Sequence, residues 1–317
     1  MRHPVRDKGT LLLATDFSGP ARAVFPYALK LASVLNLGLT ILHVVKAPPG
    51  LEEWSPAARR SLEPLKTKAL LEIGRLARLA RERGVTADHR LLVGIPEDSI
   101  LKVAEDAQVD LIAMGTHGRT GWERLRLGSV VEAILRKAPC PVLTVNASGA
   151  AHSPVNPLRL NLSRFLVATD FSASSEAALR SAVVLAKRLN AQVVLLHVSE
   201  PSGSSGLESV HINESSRRRA DQRLQNAISA CRAEQVISDR IVLQGNPLEV
   251  ILDQAKRVKA DLIVMGTHGR RGMKLIILGS VAESVVRRAG RPVVVVKAGV
   301  KKRSKVSSGV KPAPGLR

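Results

Sequence analysis

The block Ala14-Thr15-Asp16-Phe17-Ser18 returns as Ala168-Thr169-Asp170-Phe171-Ser172, and other blocks recur behind it in the same order. Leu42-His43-Val44 reappears as Leu196-His197-Val198, and Met114-Gly115-Thr116-His117-Gly118-Arg119 as Met265-Gly266-Thr267-His268-Gly269-Arg270. Leu127-Gly128-Ser129-Val130 reappears as Leu278-Gly279-Ser280-Val281. A period of about 150 residues is far longer than a solenoid unit, so a whole domain has been duplicated. The 317 residues, 45% of them hydrophobic, supply material for two cores. The domains are read as 1–147 and 162–298. The stretch from Asn146 to Asn161, with Gly149, Pro154 and Pro157 and little periodicity, reads as a connection, with 148–161 as the linker proper. Residues 299–317 open on Lys301-Lys302-Arg303-Ser304-Lys305 and continue in serine, glycine and proline, a composition expected to form a disordered basic tail.

Within each copy, β-branched apolar runs alternate with helical patterns, which predicts parallel strands joined by crossover helices. In the first copy strands are expected at Leu11–Thr15, Leu39–Val44, His89–Val93, Leu111–Met114 and Val142–Val145. Helices are expected from Pro20 to Leu35 with Ser18 as cap, from Pro56 to Arg83, from Pro96 to Ala107, and before the last strand. The second helix places Leu62, Leu65, Ala69, Ile73, Leu76 and Ala80 on one apolar face and basic residues elsewhere. Right-handed crossovers put helices on both faces of the sheet, and a ligand crevice forms at the carboxyl ends of the strands where the winding direction reverses. Two of the recurring blocks, the Asp after strand one and the glycine-rich run after strand four, fall at such ends.

The glycine-rich run reads Gly115-Thr116-His117-Gly118, nine residues, then Gly128-Ser129 opening a helix, and the second copy repeats it as Gly266-Thr267-His268-Gly269, nine residues, Gly279-Ser280. Glycine permits positive φ and a close backbone approach, and a helix start offers unpaired N–H groups to an anion. Phosphate is the guest this suits, with Ser129 and Ser280 available either to cap their helices or to donate to a phosphate oxygen. Neither the dinucleotide fingerprint G-x-G-x-x-G nor a G-x-x-x-x-G-K-[ST] loop is present.

With Ala138-Pro139-Cys140-Pro141-Val142 added, these blocks resemble the universal stress protein family in its ATP-binding branch, over nearly the whole chain outside linker and tail. The resemblance implies an α/β fold of two tandem Rossmann-like, adenine nucleotide alpha hydrolase-like domains, each an open five-stranded parallel sheet with helices on both faces. It implies that ATP, with Mg²⁺ across its phosphates, meets Ala14 and Asp16 at its adenine and ribose end, with backbone contacts from Val44. Met114 and Gly115 would lie along the ribose, and Gly118, Gly128 and Ser129 would hold phosphates. The counterparts are Ala168, Asp170, Val198, Met265, Gly266, Gly269, Gly279 and Ser280. It also implies edge-to-edge pairing of the final strands, Val142–Val145 with Val293–Val296, so that one chain acts as an internal dimer. Whether two chains associate further stays open.

Asp16 and Asp170 also suit a turn cap. His117 and His268 have no carboxylate or cysteine in a partnering pattern and are read as shaping the loop or facing phosphate, not as catalytic. His43 and His197 sit in apolar strands and read as satisfied core histidines, while Arg119 and Arg270 suit phosphate and a surface ion pair equally. The motif supplies no clamp lysine, so any hydrolysis of ATP is expected to be slow and the role regulatory, in the response to stress. A nucleotide-free scaffold and an adenylyl-transfer enzyme are the competing readings. Cys140 and Cys231 have no CxxC partner and read as packing residues. The net charge of +21 attracts phosphate-rich partners without specifying one, and 2% aromatics argues against base stacking. No recognition signature supports specific nucleic-acid binding, and no apolar run approaches the roughly 20 residues a membrane span needs. The polar start of the chain has no signal-peptide core, and the reading is a cytoplasmic protein.

Overall fold

The computed structural model describes residues 9–47, 60–116, 127–146, 160–200, 214–267 and 278–299. The first repeat runs β1 (Thr10–Ala14), α1 (Gly19–Leu35), β2 (Gly38–Lys46), α2 (Glu63–Arg81), β3 (Ala87–Gly94), α3 (Pro96–Asp106), β4 (Leu111–Gly115), α4 (Ser129–Lys137) and β5 (Val142–Val145). The second runs β6 (Arg164–Ala168), α5 (Ala173–Leu189), β7 (Gln192–Ser199), α6 (Glu214–Ala233), β8 (Ser238–Gln244), α7 (Pro247–Arg257), β9 (Leu262–Gly266), α8 (Ser280–Arg288) and β10 (Val293–Val296).

All ten strands belong to one sheet in the order β3-β2-β1-β4-β5-β10-β9-β6-β7-β8. Pairing is parallel inside each repeat, as crossover connections require. The repeats meet where β5 and β10 run antiparallel, with Val293 opposite Thr144, Val294 opposite Leu143 and Val295 opposite Val142. The Thr144 hydroxyl donates across this seam to the Val293 carbonyl at 3.2 Å. The strands at the seam are short, apolar and buried on both faces, so their unpaired edges would be a liability if left open.

Alternate strand residues face opposite layers. Leu11, Leu13, Ile41, Val167 and Leu195 pack with α1, α2, α5 and α6, while Leu12, Leu42, Ile112, Leu166 and Ile263 pack with α3, α4, α7 and α8. Leu143 and Val294 share the first of these cores and Val142 and Val295 the second, so each core continues across the seam.

Two expectations need correction. The second helix is described over Glu63–Arg81, and Pro56, its expected start, lies outside the described residues. Its buried stripe is Ala69, Ile73, Ala77 and Ala80, with Leu62 just before it, whereas Leu65 is 52% exposed. At 100° per residue Leu65 lies roughly 70° from the stripe's centre, on its margin, and the uncounted Ala77 lies near it. Asn146 is no linker residue: it is 3% exposed and its side chain reaches the end of α8. The linker from 147 to 159 and the tail from 300 lie outside the described residues.

Candidate functional site

The winding direction reverses between β1 and β4, whose last paired residues are Ala14 and Met114 in one repeat and Ala168 and Met265 in the other. On its other side Ala14 faces Leu42, and β2 runs on past this point through Val44, where it pairs with Leu92. The carboxyl ends of β1, β2 and β4 thus bring Ala14, Asp16, Val44, Met114 and Gly115 to one end of the sheet, and the second repeat does the same with Ala168, Asp170, Val198, Met265 and Gly266. Met114 and Met265 are buried in the sheet, and Val44 and Val198 are half-buried against the same core.

The turn after β1 is tightly specified. Asp16 Oδ1 accepts from Ser18 N–H at 3.0 Å, Thr15 Oγ1 accepts from Phe17 N–H at 3.1 Å, and Ser18 Oγ caps α1 by accepting from Ala21 N–H at 3.3 Å. Phe17 has φ 64° and Phe171 φ 63°, a left-handed conformation that a bulky side chain rarely adopts. Each ring lies against a histidine, Phe17 on His43 at 4.6 Å and Phe171 on His197 at 4.5 Å between centroids. His43 Nδ1 meets the Thr15 carbonyl at 2.7 Å and His197 Nδ1 that of Thr169 at 2.8 Å, so both histidines clamp the turn. An unusual backbone kept in both copies marks a place where shape is specified. Nothing in residue types alone signals it, apart from a Phe that recurs inside a turn.

The second turn is built with more hydroxyls. Ser172 Oγ hydrogen-bonds to both Ser174 Oγ and Ser175 Oγ, and Ser175 Oγ accepts from Thr169 Oγ1 at 3.1 Å, where the first repeat has Ser18, Pro20 and Ala21. Arg223 of α6 stands over the Phe171 ring at 4.2 Å from its centroid. Glu72 occupies the corresponding position of α2, an acidic residue in place of a basic one.

The glycines separate into two kinds. A Cβ on Gly115 would lie 2.6 Å from Ala21 N and 2.8 Å from Pro20 C, and one on Gly266 would lie 2.7 Å from Ser174 C and Ser175 N. These two are glycine because the first turn of α1 or α5 presses on the end of the strand. Gly128 and Gly279 are the N-caps of α4 and α8, with extended backbone and no side chain to offer the first turn. Ser129 and Ser280, considered above as caps, are instead the first helical residues and are exposed. The segment between is anchored at both ends: Thr116 is buried, its N–H donates to Val145 O at 3.0 Å, and its carbonyl accepts from Gly128 N–H at 3.1 Å. The same bonds join Thr267 to Val296 at 3.0 Å and to Gly279 at 2.8 Å. Gly118, Gly269, His117, His268, Arg119 and Arg270 lie outside the described residues.

The family model for universal stress proteins matches residues 9–146 and again 161–297. The chain belongs to the universal stress protein family. A universal stress protein of Mycobacterium tuberculosis is 27% identical over 282 residues, covering 84% of this chain and 89% of its own length. One from Methanocaldococcus jannaschii is 34% identical over 140 residues, 43% of this chain and 80% of its own, the span of a single repeat. The crystal structure of a universal stress protein from Archaeoglobus fulgidus superposes with a TM-score of 0.69 at 25% identity, covering 92% of this chain and all of that one.

Both cysteines of this universal stress protein are buried. Burial, with the nearby Asp110 charge, pushes the Cys140 thiol up to about 12, and burial raises Cys231 in the same direction. Among the described residues no group of three or more His, Cys, Asp or Glu side chains stands together as a metal site. No helix there is long and apolar enough to cross a membrane.

Proposed function

We propose that each repeat binds ATP across the carboxyl ends of its strands and that the protein acts as a nucleotide-dependent regulator in the response to stress, turning ATP over slowly or not at all. One observation carries the reading: in both repeats a helix with a bare glycine cap begins beside the β1–β4 reversal. Its first-turn N–H groups and dipole favour a phosphate there. The remaining residues fit an adenine nucleotide. Asp16 and Asp170 stand beside the ribose, Val44 and Val198 lie near the carboxyl ends of the strands along which adenine lies, and Ser129 and Ser280 are exposed beside the phosphates, which Gly118 and Gly269 also hold in this reading. Mg²⁺, when present, neutralises charge on those phosphates and is carried in with them. Gly115 and Gly266 border this space, but α1 and α5 are sufficient reason for their being glycine.

The domains are 1–147 and 162–298 in this reading, and the cytoplasm is the compartment where ATP is plentiful and two free cysteines persist. Calorimetric titration of nucleotide-stripped protein with ATP and Mg²⁺ tests the function. Two sites are expected, one lost in Gly118→Ala/Gly128→Ala and the other in Gly269→Ala/Gly279→Ala. Folded protein that takes up no nucleotide leaves the scaffold reading in its place.

A further inference from the structure

Each glycine-capped helix starts at its own repeat's site and ends on the other repeat. At the end of α4 the Arg136 carbonyl accepts from Lys297 Nζ at 3.3 Å. Lys297 directly follows β10, and the preceding residue, Val296, accepts from Thr267 N–H, which anchors the second glycine-rich segment. The reverse path has the same form. At the end of α8, Asn146 Nδ2 donates to Arg287 O at 3.0 Å, to Val286 O at 3.4 Å and to Ala289 O. Asn146 directly follows β5, and the preceding residue, Val145, accepts from Thr116 N–H, which anchors the first segment.

We propose that Asn146 and Lys297 are positioning residues that couple the two sites, so that filling one changes the affinity of the other. The proposal rests on the nucleotide reading above. A nine-residue helix is a stiff rod about 13 Å long, and the ties fasten its far end to the strand that seats the opposite loop. An anion drawn to the first turn of α4 shifts the rod against Lys297, hence against β10 and the Thr267–Gly279 bond; α8 and Asn146 carry the reverse effect. The last carbonyls of a helix have no partner within it, so a donor from the other repeat is a contact the helix cannot replace internally. The two ties differ, one being a buried amide on three carbonyls and the other a half-buried ammonium on one. Thermodynamic reciprocity nevertheless demands a single coupling factor in both directions.

The experiment is calorimetric titration of the full chain with ATP, comparing the parent with the two single-site glycine variants above. Coupling predicts that each site's affinity in a single-site variant differs at least about 5-fold from its affinity beside a filled neighbour, by the same factor from either side. Lys297→Ala should bring that factor towards one while both sites still bind, and Lys297→Arg should restore it, which a loss of stability alone would not do. Asn146→Ala should act likewise. Two independent sites in the parent overturn the coupling, and a factor untouched in both Lys297→Ala and Asn146→Ala overturns the role given to these residues; either result leaves the ATP reading intact. A folded parent that binds no ATP overturns both.

Discussion

Gly115 and Gly266 show how one residue type answers two demands. The sequence places them in a glycine-rich run and so assigns them to a ligand, yet the backbone of α1 or α5 already fills the space a side chain would need. Gly115→Ala and Gly266→Ala should therefore each destabilise the free protein by about 1–3 kcal/mol through overpacking. Denaturant unfolding without nucleotide measures this, and an unchanged midpoint would return the glycines to a purely ligand-facing role. The turn at Asp16 was legible because its block repeats. The left-handed Phe17 beside it was not, since a Phe in the sequence carries no sign of its φ and the stacking partner His43 is brought in from another strand. Asn146 was misread for a related reason: its partners, the carbonyls ending α8, are about 140 residues away.

At the scale of elements, periodicity and punctuation placed every described strand and helix of the first repeat. It failed where the margin of a face depends on what packs beside it, as at Leu65. Ser18, Ser172 and Asn246 cap α1, α5 and α7 through their side chains, the signal a helix start gives in sequence. Between α6 and β8, Arg240 Nε and Nη2 donate to the two Asp221 oxygens at 2.9 and 3.2 Å. These bonds, and the attraction of Arg240 and Arg217, hold the Asp221 carboxyl below its ordinary range. With the folded pKa lowered, the stabilisation is complete above the unfolded value of about 4 and is lost as pH falls through the folded one. Asp221→Asn should thus flatten the acid side of the stability–pH profile and leave its slope near neutrality alone. Both side chains are partly exposed, so 1 M salt should shrink the difference.

At the scale of the whole molecule, the positive charge of the described helices is one-sided. The layer of α1, α2, α5 and α6 carries fifteen basic and five acidic residues, whereas that of α3, α4, α7 and α8 carries seven and eight. The antiparallel seam between β5 and β10 has a consequence of another kind. Two separate half-length chains would find each other at a rate set by how many were made, whereas a tether of a dozen or so residues holds the partners at an effective concentration on the order of millimolar. Thermal midpoint and hydrodynamic radius should then stay constant on hundredfold dilution of the intact chain. A single cut between 147 and 159 should make both depend on concentration. A cell that makes this protein scarce or abundant changes the number of paired units and leaves the degree of pairing as it was.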